Sequence, residues 1–339
     1  MTRFTIPAQM KAVVLDAYEG AKALRVDTRP VPQPGPNEVL VKVAASPINP
    51  SDLAFLEGMY GFHKLLPTVP GFEGSGVVVA VGPGLMGRYL LGKRVACVSQ
   101  NKGDGVWAEY VVVRANYALP LGKDVSLEQG AMSVVNPLTA VALIDIAKKG
   151  GHKAIINTAA AGILGQMIMR LGQAEGLDVV NIVRREEQVT MLQERGAKHI
   201  LNSTSPDFDK SLKELCHQLH VRLAFDAVAG QMTFQLLEAM PSNSTVTIYG
   251  GLSFQPAQVS PGHVIFQRKQ VNGFWLTQWL ASKNILQSMA VWRRGQQLLA
   301  SMLRSDVRAR YGLEAVQTAV SDYQQQMTGG KVLIVPQSE

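Results

Sequence analysis

Two arginines stand side by side, Arg184 and Arg185, at the tip of the apolar run Asp178-Val-Val-Asn-Ile-Val183. Adjacent guanidinium groups suit a phosphate ester, whose oxygens accept paired N–H donors. Upstream lies Lys153-Ala-Ile-Ile-Asn-Thr-Ala-Ala-Ala-Gly-Ile-Leu-Gly165, where an apolar run stops at small residues and a helical pattern starts at once. A strand, a small-residue turn and a helix N-terminus form an anion cradle, because free N–H groups and the helix dipole both favour negative charge there. In a dinucleotide site the tip of the second strand reads the ribose 2′ position, and an arginine there suits a 2′-phosphate. The spacing therefore predicts NADPH rather than NADH. Ala161, Gly162, Ile163 and Leu164 would offer backbone N–H groups to the pyrophosphate, and Arg184 and Arg185 would clamp the 2′-phosphate. The turn reads Ala160-x-Gly162-x-x-Gly165, with alanine at the first glycine of the strict fingerprint. Alone it is a weak signal; the flanking strand and helix and the spaced arginines give it weight.

These groups need a frame. Residues 1–125 are β-rich: short apolar runs at 11–15, 38–43, 76–81, 93–98 and 108–113 alternate with Gly and Pro, as in a small barrel or folded sheet. Pro30, Pro32, Pro34 and Pro36 make a stiff connector. Ser126 can cap a helix running to Ala147. Strands then alternate with helices: strands 154–158, 179–183, 199–202, 223–228, 245–249 and 270–276, helices 163–175, 186–195, 207–219 and 231–240. Six Val/Ile-rich runs separated by helices predict a doubly wound parallel sheet covered on both faces. A long helix over 279–303 follows, and the tail 331–335 is a strand expected to rejoin the first domain. The expected fold class is α/β, with a β-rich domain (1–125 with 278–339) and a Rossmann domain with a six-stranded parallel sheet (126–277).

The chain of 339 residues is long enough for two cores, and 47% hydrophobic against 17% charged residues excludes a disordered chain. No stretch approaches the ~20 apolar residues of a membrane span, and the start lacks a secretory apolar core. Two cysteines cannot make a disulfide framework, so a reducing cytoplasm is expected. Net charge is +7, but the basic residues are scattered, with the densest group at Arg304–Arg310. No basic stripe is interleaved with aromatics, which argues against nucleic acid. The Cys216-His217 and His220 group on one helix offers too few converging ligands for a metal.

The order of a β-rich lobe and a dinucleotide lobe, with Pro70-Gly-Phe-Glu-Gly-Ser-Gly-Val-Val78, Gly92-Lys-Arg-Val95 and Ala108-Glu-Tyr110, resembles the medium-chain dehydrogenase/reductase superfamily over nearly the whole chain. The resemblance implies a GroES-like first domain. Zinc-dependent members hold their metal at positions matched here by Asn49, Phe72 and Asn136, none a good zinc ligand, and the four-cysteine lobe is missing. No metal is expected, and the chain is similar to the zinc-independent reductases. Asn49-Pro-Ser-Asp52, Gly71-Phe-Glu-Gly74 and the Ala159-Ala-Ala-Gly turn look like the quinone oxidoreductases. Glu57-Gly-Met-Tyr-Gly-Phe62, Asn136-Pro-Leu-Thr139, Asn181-Ile-Val-Arg184, Tyr249-Gly-Gly-Leu252 and Gly273-Phe-Trp-Leu-Thr-Gln-Trp279 look like the mitochondrial-type 2-enoyl thioester reductases. Both branches send a hydride to an electron-poor acceptor, a quinone or an activated C=C bond.

A carbonyl acceptor needs a hydrogen-bond donor for the charge that builds on its oxygen. Tyr60 fits, in a glycine-flanked loop, and the resemblance puts the enoyl reductases' catalytic tyrosine there; the other reading is an aromatic that anchors apolar surface. The resemblance also implies cofactor contacts. Asn136 and Thr139 would lie near the nicotinamide ribose and carboxamide, and Tyr249, Gly250, Gly251 and Leu252 at the carboxyl edge of the sheet. Phe274, Trp275, Leu276 and Lys331 would close the nicotinamide end; for Trp275 and Trp279 a plain packing role stays open. Asp52 and Glu73 are expected to hold the first lobe together, and His63 has no assigned role. The strand at 270–276 would pair with its copy in a homodimer, since exposed edges are normally covered. A non-catalytic structural or RNA-binding role remains as a further alternative.

Overall fold

The computed structural model describes residues 4–99, 102–299 and 301–336. The chain divides into two compact units, Met1–Val135 with Gln296–Glu339, and Asn136–Gly295.

The first unit opens with the antiparallel pair β1 (Gln9–Leu15) and β2 (Leu24–Pro30). There follow β3 (Glu38–Pro47), α1 (Pro50–Leu56), β4 (Glu73–Val81), α2 (Leu85–Leu90), β5 (Arg94–Val98), β6 (Tyr110–Arg114) and β7 (Ala118–Pro120). β3 is central, with β4 and β6 antiparallel on it, β5 on β4 and β7 on β5. Val39, Leu40, Val41, Val78 and Val95 form a dry interior with Trp107 and Phe55. Gly71 has φ +98, and a Cβ there would fall 2.4 Å from Trp107 Cδ1, so the Pro70-Gly71 turn closes on the indole only as glycine.

The helix expected from Ser126 to Ala147 is two helices, α3 (Leu127–Ala131) and α4 (Val135–Lys149). Buried Glu73 explains the break: its Oε2 accepts the N–H groups of Val134 (3.1 Å) and Val135 (2.8 Å), giving α4 its own anion-capped start. Because α3 lies against β3, β4 and β5, the first unit extends past the expected boundary at 125.

The second unit contains β8 (Ala154–Asn157), α5 (Ile163–Ala174), β9 (Asp178–Val183), α6 (Glu186–Glu194), β10 (His199–Asn202), α7 (Phe208–Gln218), β11 (Leu223–Asp226), α8 (Gln231–Ala239), β12 (Thr245–Ile248), α9 (Pro261–Ile265) and β13 (Gln270–Gly273). All strand pairs are parallel, in the order β10-β9-β8-β11-β12-β13. Every residue of β8 and β11 is buried, whereas every residue of β13 is exposed. The strand expected through Leu276 ends at Gly273, because Trp275 caps α10 (Leu276–Ala281).

The long helix expected over 279–303 is also divided. α10 stops, and α11 (Ile285–Leu299) begins after Asn284, whose side chain accepts the Gln287 N–H while Gln287 accepts the Asn284 N–H. Arg294 on α11 donates to Asp145 on α4 and to Glu175, both at 2.7 Å. That clamp keeps α11 up to Gly295 with the second unit, beyond the expected boundary at 277.

The chain then re-enters the first unit through β14 (Val307–Tyr311), α12 (Val316–Gln325) and β15 (Lys331–Ile334). β15 pairs parallel with β14 and antiparallel with β3, as expected for the tail. β14 lies in the densest basic segment. Its charges are spent on ion pairs, Arg308 with Asp322 (2.9 Å) and Arg310 with Glu128 (2.5 and 2.8 Å). Cys97 and Cys216 are both buried free thiols.

Candidate active site

In the second unit, six loops leave the carboxyl edge of the parallel sheet, and the strand order reverses between β8 and β11, where such sheets bind ligands. After β8 the chain turns through Ala159, which holds a left-handed φ of +48, to Gly162, the N-cap of α5. A Cβ on Gly165 would sit 2.6 Å from Ala159 O and Ala160 Cα, so this glycine sets how closely helix and turn pack. The Ala160 N–H donates to Ile182 O at 3.1 Å, tying the turn to β9.

One expectation needs correction here. Gly162 was expected to offer its N–H to an anion, but that N–H donates to Ala159 O at 2.9 Å within the turn. The carbonyl of the same peptide unit, Ala161 O, accepts from Gln166 Nε2 at 2.7 Å, and Gln166 Oε1 in turn accepts from Arg195. The peptide is thus locked at both ends. Ile163 and Leu164 open the helix, where no preceding turn accepts their N–H groups.

Arg184 and Arg185 follow β9 at an exposed position. The Arg184 main chain is held through its N–H on Gln188 (3.1 Å), and among the described residues its guanidinium has no carboxylate partner. After β11 comes a group that the sequence did not single out. Asp226, fully buried, accepts from Thr158 Oγ1 (3.0 Å), Thr233 Oγ1 (2.7 Å) and the N–H groups of Val228 (2.8 Å) and Ala229 (3.2 Å). It fixes the β11 loop against the β8 turn. An acid closing the apolar run Leu223-Ala-Phe-Asp226 was the available signal. After β12, Tyr249 donates its N–H to Asp226 O (2.9 Å) and Leu252 donates to Ala227 O (3.0 Å), so the Tyr249–Leu252 loop leans on the same anchor. Burial and the Asp226 charge hold the Tyr249 phenol above its usual range. Phe274, Trp275 and Leu276 follow β13 on this edge, half-buried. Asn136 and Thr139 are buried on α4. The structure thus gathers the loops carrying Ala161–Leu164, Arg184–Arg185, Tyr249–Leu252 and Phe274–Leu276 on one edge of one sheet.

In the first unit, Asn49, Asp52, Glu73 and Lys331 are fully buried together. Asn49 is the hub: Nδ2 donates to Glu73 Oε1 (3.0 Å), Oδ1 accepts from the Lys331 amine, and its N–H donates to Asp52 Oδ2 (2.8 Å). Asp52 Oδ1 accepts the Phe72 N–H at 3.1 Å. Burial pushes the Asp52 carboxyl up to about 7 and the Lys331 ammonium down to about 8, and raises Glu73. An amide already shared with a carboxylate and an ammonium, next to the phenyl ring of Phe72, does not fit a zinc ion. Among the described residues no group of three His, Cys, Asp or Glu is arranged to hold a metal. Cys216 on α7 points into the core, while His217 and, just past the end of the helix, His220 are exposed. Lys331 therefore belongs to this buried cluster of the first unit.

Tyr60 is half-buried on an aromatic cluster, its ring 4.7 Å from Phe72 and 5.1 Å from Phe62. Phe55 extends the cluster to Tyr18 (5.5 Å). His63 Nε2 meets Gly58 O at 3.0 Å and closes the loop on itself. Lys64, also passed over in the sequence, is 9% exposed on the same loop.

A mostly antiparallel GroES-like sheet and a doubly wound parallel sheet with a phosphate turn, in this chain order, define a class, and the chain belongs to the medium-chain dehydrogenase/reductase superfamily. Residues 35–123 match the alcohol dehydrogenase GroES-like domain and residues 162–291 the zinc-binding dehydrogenase family. The chain is 31% identical over 282 residues to the mitochondrial enoyl-[acyl-carrier-protein] reductase of Bos taurus, covering 80% of this chain and 74% of that one. Among solved structures it resembles a putative NADPH:quinone reductase from Mesorhizobium loti, with 37% identity and a TM-score of 0.90 over 98% of this chain and 100% of that one. A putative NADPH:quinone reductase from Bacillus thuringiensis gives 26% identity and a TM-score of 0.88, with 98% and 100% covered.

Proposed function

We propose that the chain is a zinc-independent, NADPH-dependent reductase of quinones or of carbonyl-activated C=C bonds. The observation that carries this is the carboxyl edge of the second unit: a locked small-residue turn at a helix N-terminus, with exposed Arg184 and Arg185 ending the next strand. The residues fit the coenzyme. Ala161, Ile163 and Leu164 supply N–H groups to its pyrophosphate. The two arginines take its 2′-phosphate; Asn136, Thr139, Tyr249–Leu252 and Phe274–Leu276 line its nicotinamide end, while Lys331, expected there, is held in the buried cluster of the first unit. When bound, NADPH supplies the hydride. Tyr60 donates a hydrogen bond to the acceptor oxygen that gains charge, and the loops keep water from the reacting atoms.

A second reading narrows the acceptor to 2-enoyl thioesters. It is favoured by Gly273-Phe-Trp-Leu-Thr-Gln-Trp279 and by the relatives named enoyl-[acyl-carrier-protein] reductases. Fluorescence titration with NADPH and NADH, then steady-state assays with a small quinone and crotonyl thioester, tests both. Quinone turnover without thioester turnover discards the second reading, and absence of NADPH binding discards both.

The protein acts as a homodimer in this proposal. β13 is an edge strand whose every residue is exposed, and Phe266 is 83% exposed just before it. Such an edge normally finds cover, and a monomeric mass at micromolar concentration would refute the dimer. We place the protein in the cytoplasm, in keeping with its two unpaired thiols. No described helix is long and apolar enough to cross a membrane. Cell fractionation checks this placement.

A further inference from the structure

One side chain holds the phosphate turn of the second unit, and another, 29 residues further on, holds the first. Gln166, 6% exposed at the start of α5, reaches the turn twice. Its main-chain N–H donates to Gly162 O (2.9 Å) and its Nε2 to Ala161 O (2.7 Å). Both carbonyls beside Gly162 are thereby drawn onto the helix. A trans peptide points its carbonyl and its N–H in opposite directions, so holding Gly162 O in this way aims the Ile163 N–H out of the helix start. A carbonyl turned outward there would set its negative end against an anion.

Gln166 by itself would not stay in place. The last torsion of a glutamine is broad and two-fold, and a turn about it would put Oε1 against Ala161 O. Arg195, the C-cap of α6, prevents this by donating from its guanidinium to Gln166 Oε1. A guanidinium only donates and a carbonyl only accepts, so the amide between them has one orientation. Met191 Sδ lies 3.9 Å from the same Nε2 and accepts from it weakly. An arginine at a helix C-terminus ordinarily meets the dipole there. That accounts for the charge of Arg195, but not for a guanidinium turned onto a buried amide of another helix.

We propose that Arg195 is a positioning residue of the coenzyme site: it fixes the Gln166 amide, and that amide fixes the turn that receives the pyrophosphate. This rests on the coenzyme reading above. The pyrophosphate is common to NADPH and NADH, so Arg195 sets the affinity for both. Arg184 and Arg185 address the 2′-phosphate, which NADPH alone carries. The second unit thus divides its arginines between recognition of the whole dinucleotide and choice between its two forms.

Arg195→Met keeps the stem and removes the donors; Arg195→Lys keeps a donating cation. In fluorescence titrations Arg195→Met should raise Kd for NADPH and for NADH by the same factor, about three- to tenfold, the worth of one hydrogen bond. Arg195→Lys should recover part of the loss. In a Gln166→Leu background Arg195→Met should add nothing, because the link it acts through is gone. Amide exchange of the coenzyme-free protein needs neither ligand nor that background: the Gly162 N–H should exchange faster in Arg195→Met, with the amides of β8 and β11 unchanged. Weakening of NADPH alone, or an Arg195→Met effect that persists beside Gln166→Leu, would mean direct contact with the coenzyme and overturns the proposal. So does a lower melting temperature with both dissociation constants and the Gly162 exchange unmoved, which is all that a helix-end role would give. If the wild type binds neither coenzyme, the coenzyme reading fails and takes this proposal with it.

Discussion

The two units bring polar groups together by opposite means. In the second, the work is done mostly by main chain within one short stretch, the 158–166 turn, braced by Gln166 from inside it and by the single buried carboxylate of Asp226 from the end of β11. In the first, Asn49, Asp52, Glu73 and Lys331 come from segments up to 282 residues apart and carry buried charge. A backbone cradle costs little to keep ready, because its N–H groups are fixed by the helix start. A buried cluster of two carboxylates and one ammonium holds only while every member is present.

The strongest way to break that comparison is Lys331→Met. It leaves Glu73 and Asp52 without their cation, and urea unfolding should show a loss of about 3–5 kcal/mol. A loss under about 1 kcal/mol would mean that the cluster tolerates a missing member as the turn does. The cluster also gives stability a pH dependence. Unfolded Asp52 releases its proton near 3.8, but folded Asp52 keeps it to about 7. With respect to this group stability is highest below pH 4 and falls as pH rises to 7. Lys331 acts in the other direction: its folded ammonium titrates near 8 against 10.5 unfolded, so stability rises between those values. Unfolding free energies measured from pH 4 to 10 should show the fall in wild type and a flatter curve in Asp52→Asn.

A smaller effect is expected at the cradle. Arg184→Ala should weaken NADPH by about 1.5–3 kcal/mol for one charged hydrogen bond and leave NADH nearly unaffected. Equal weakening of the two in a fluorescence titration would remove Arg184 from the 2′ position. The smallest effect sharpens the same contrast. Ala159 sits at φ +48, a conformation that costs an alanine about 1–2 kcal/mol. Ala159→Gly should therefore stabilise the unit by about 0.5 kcal/mol after the added freedom of the unfolded chain is counted. A fall in melting temperature would show that the methyl group does more than strain the turn.

The same contrast explains what the sequence could tell. The parallel sheet and its turn were legible because each element carries its own signal: Val/Ile runs, small residues, then a helical pattern. β14 was not, since Val-Arg-Ala-Arg-Tyr reads as a basic patch until Asp322 and Glu128 are seen opposite its arginines. The break between α3 and α4 was invisible because its cause, Glu73, lies about 60 residues upstream on another strand and meets the helix only through tertiary structure. Gly162 had the right type and place, but the N–H it was expected to lend is consumed inside the turn. Asp226 and Lys64 were missed for a shared reason: one acid at a strand end and one lysine in a loop look ordinary until their burial is known.

The placement of the two cysteines has a bearing on chemistry of the proposed kind. Burial pushes both thiols up to about 12, Cys97 in the first unit and Cys216 in the second. At neutral pH neither offers a thiolate, the form that soft electrophiles alkylate. A protein that handles electron-poor alkenes or quinones thus presents no sulfur nucleophile to them, and the folded chain should escape covalent arylation by its own acceptors.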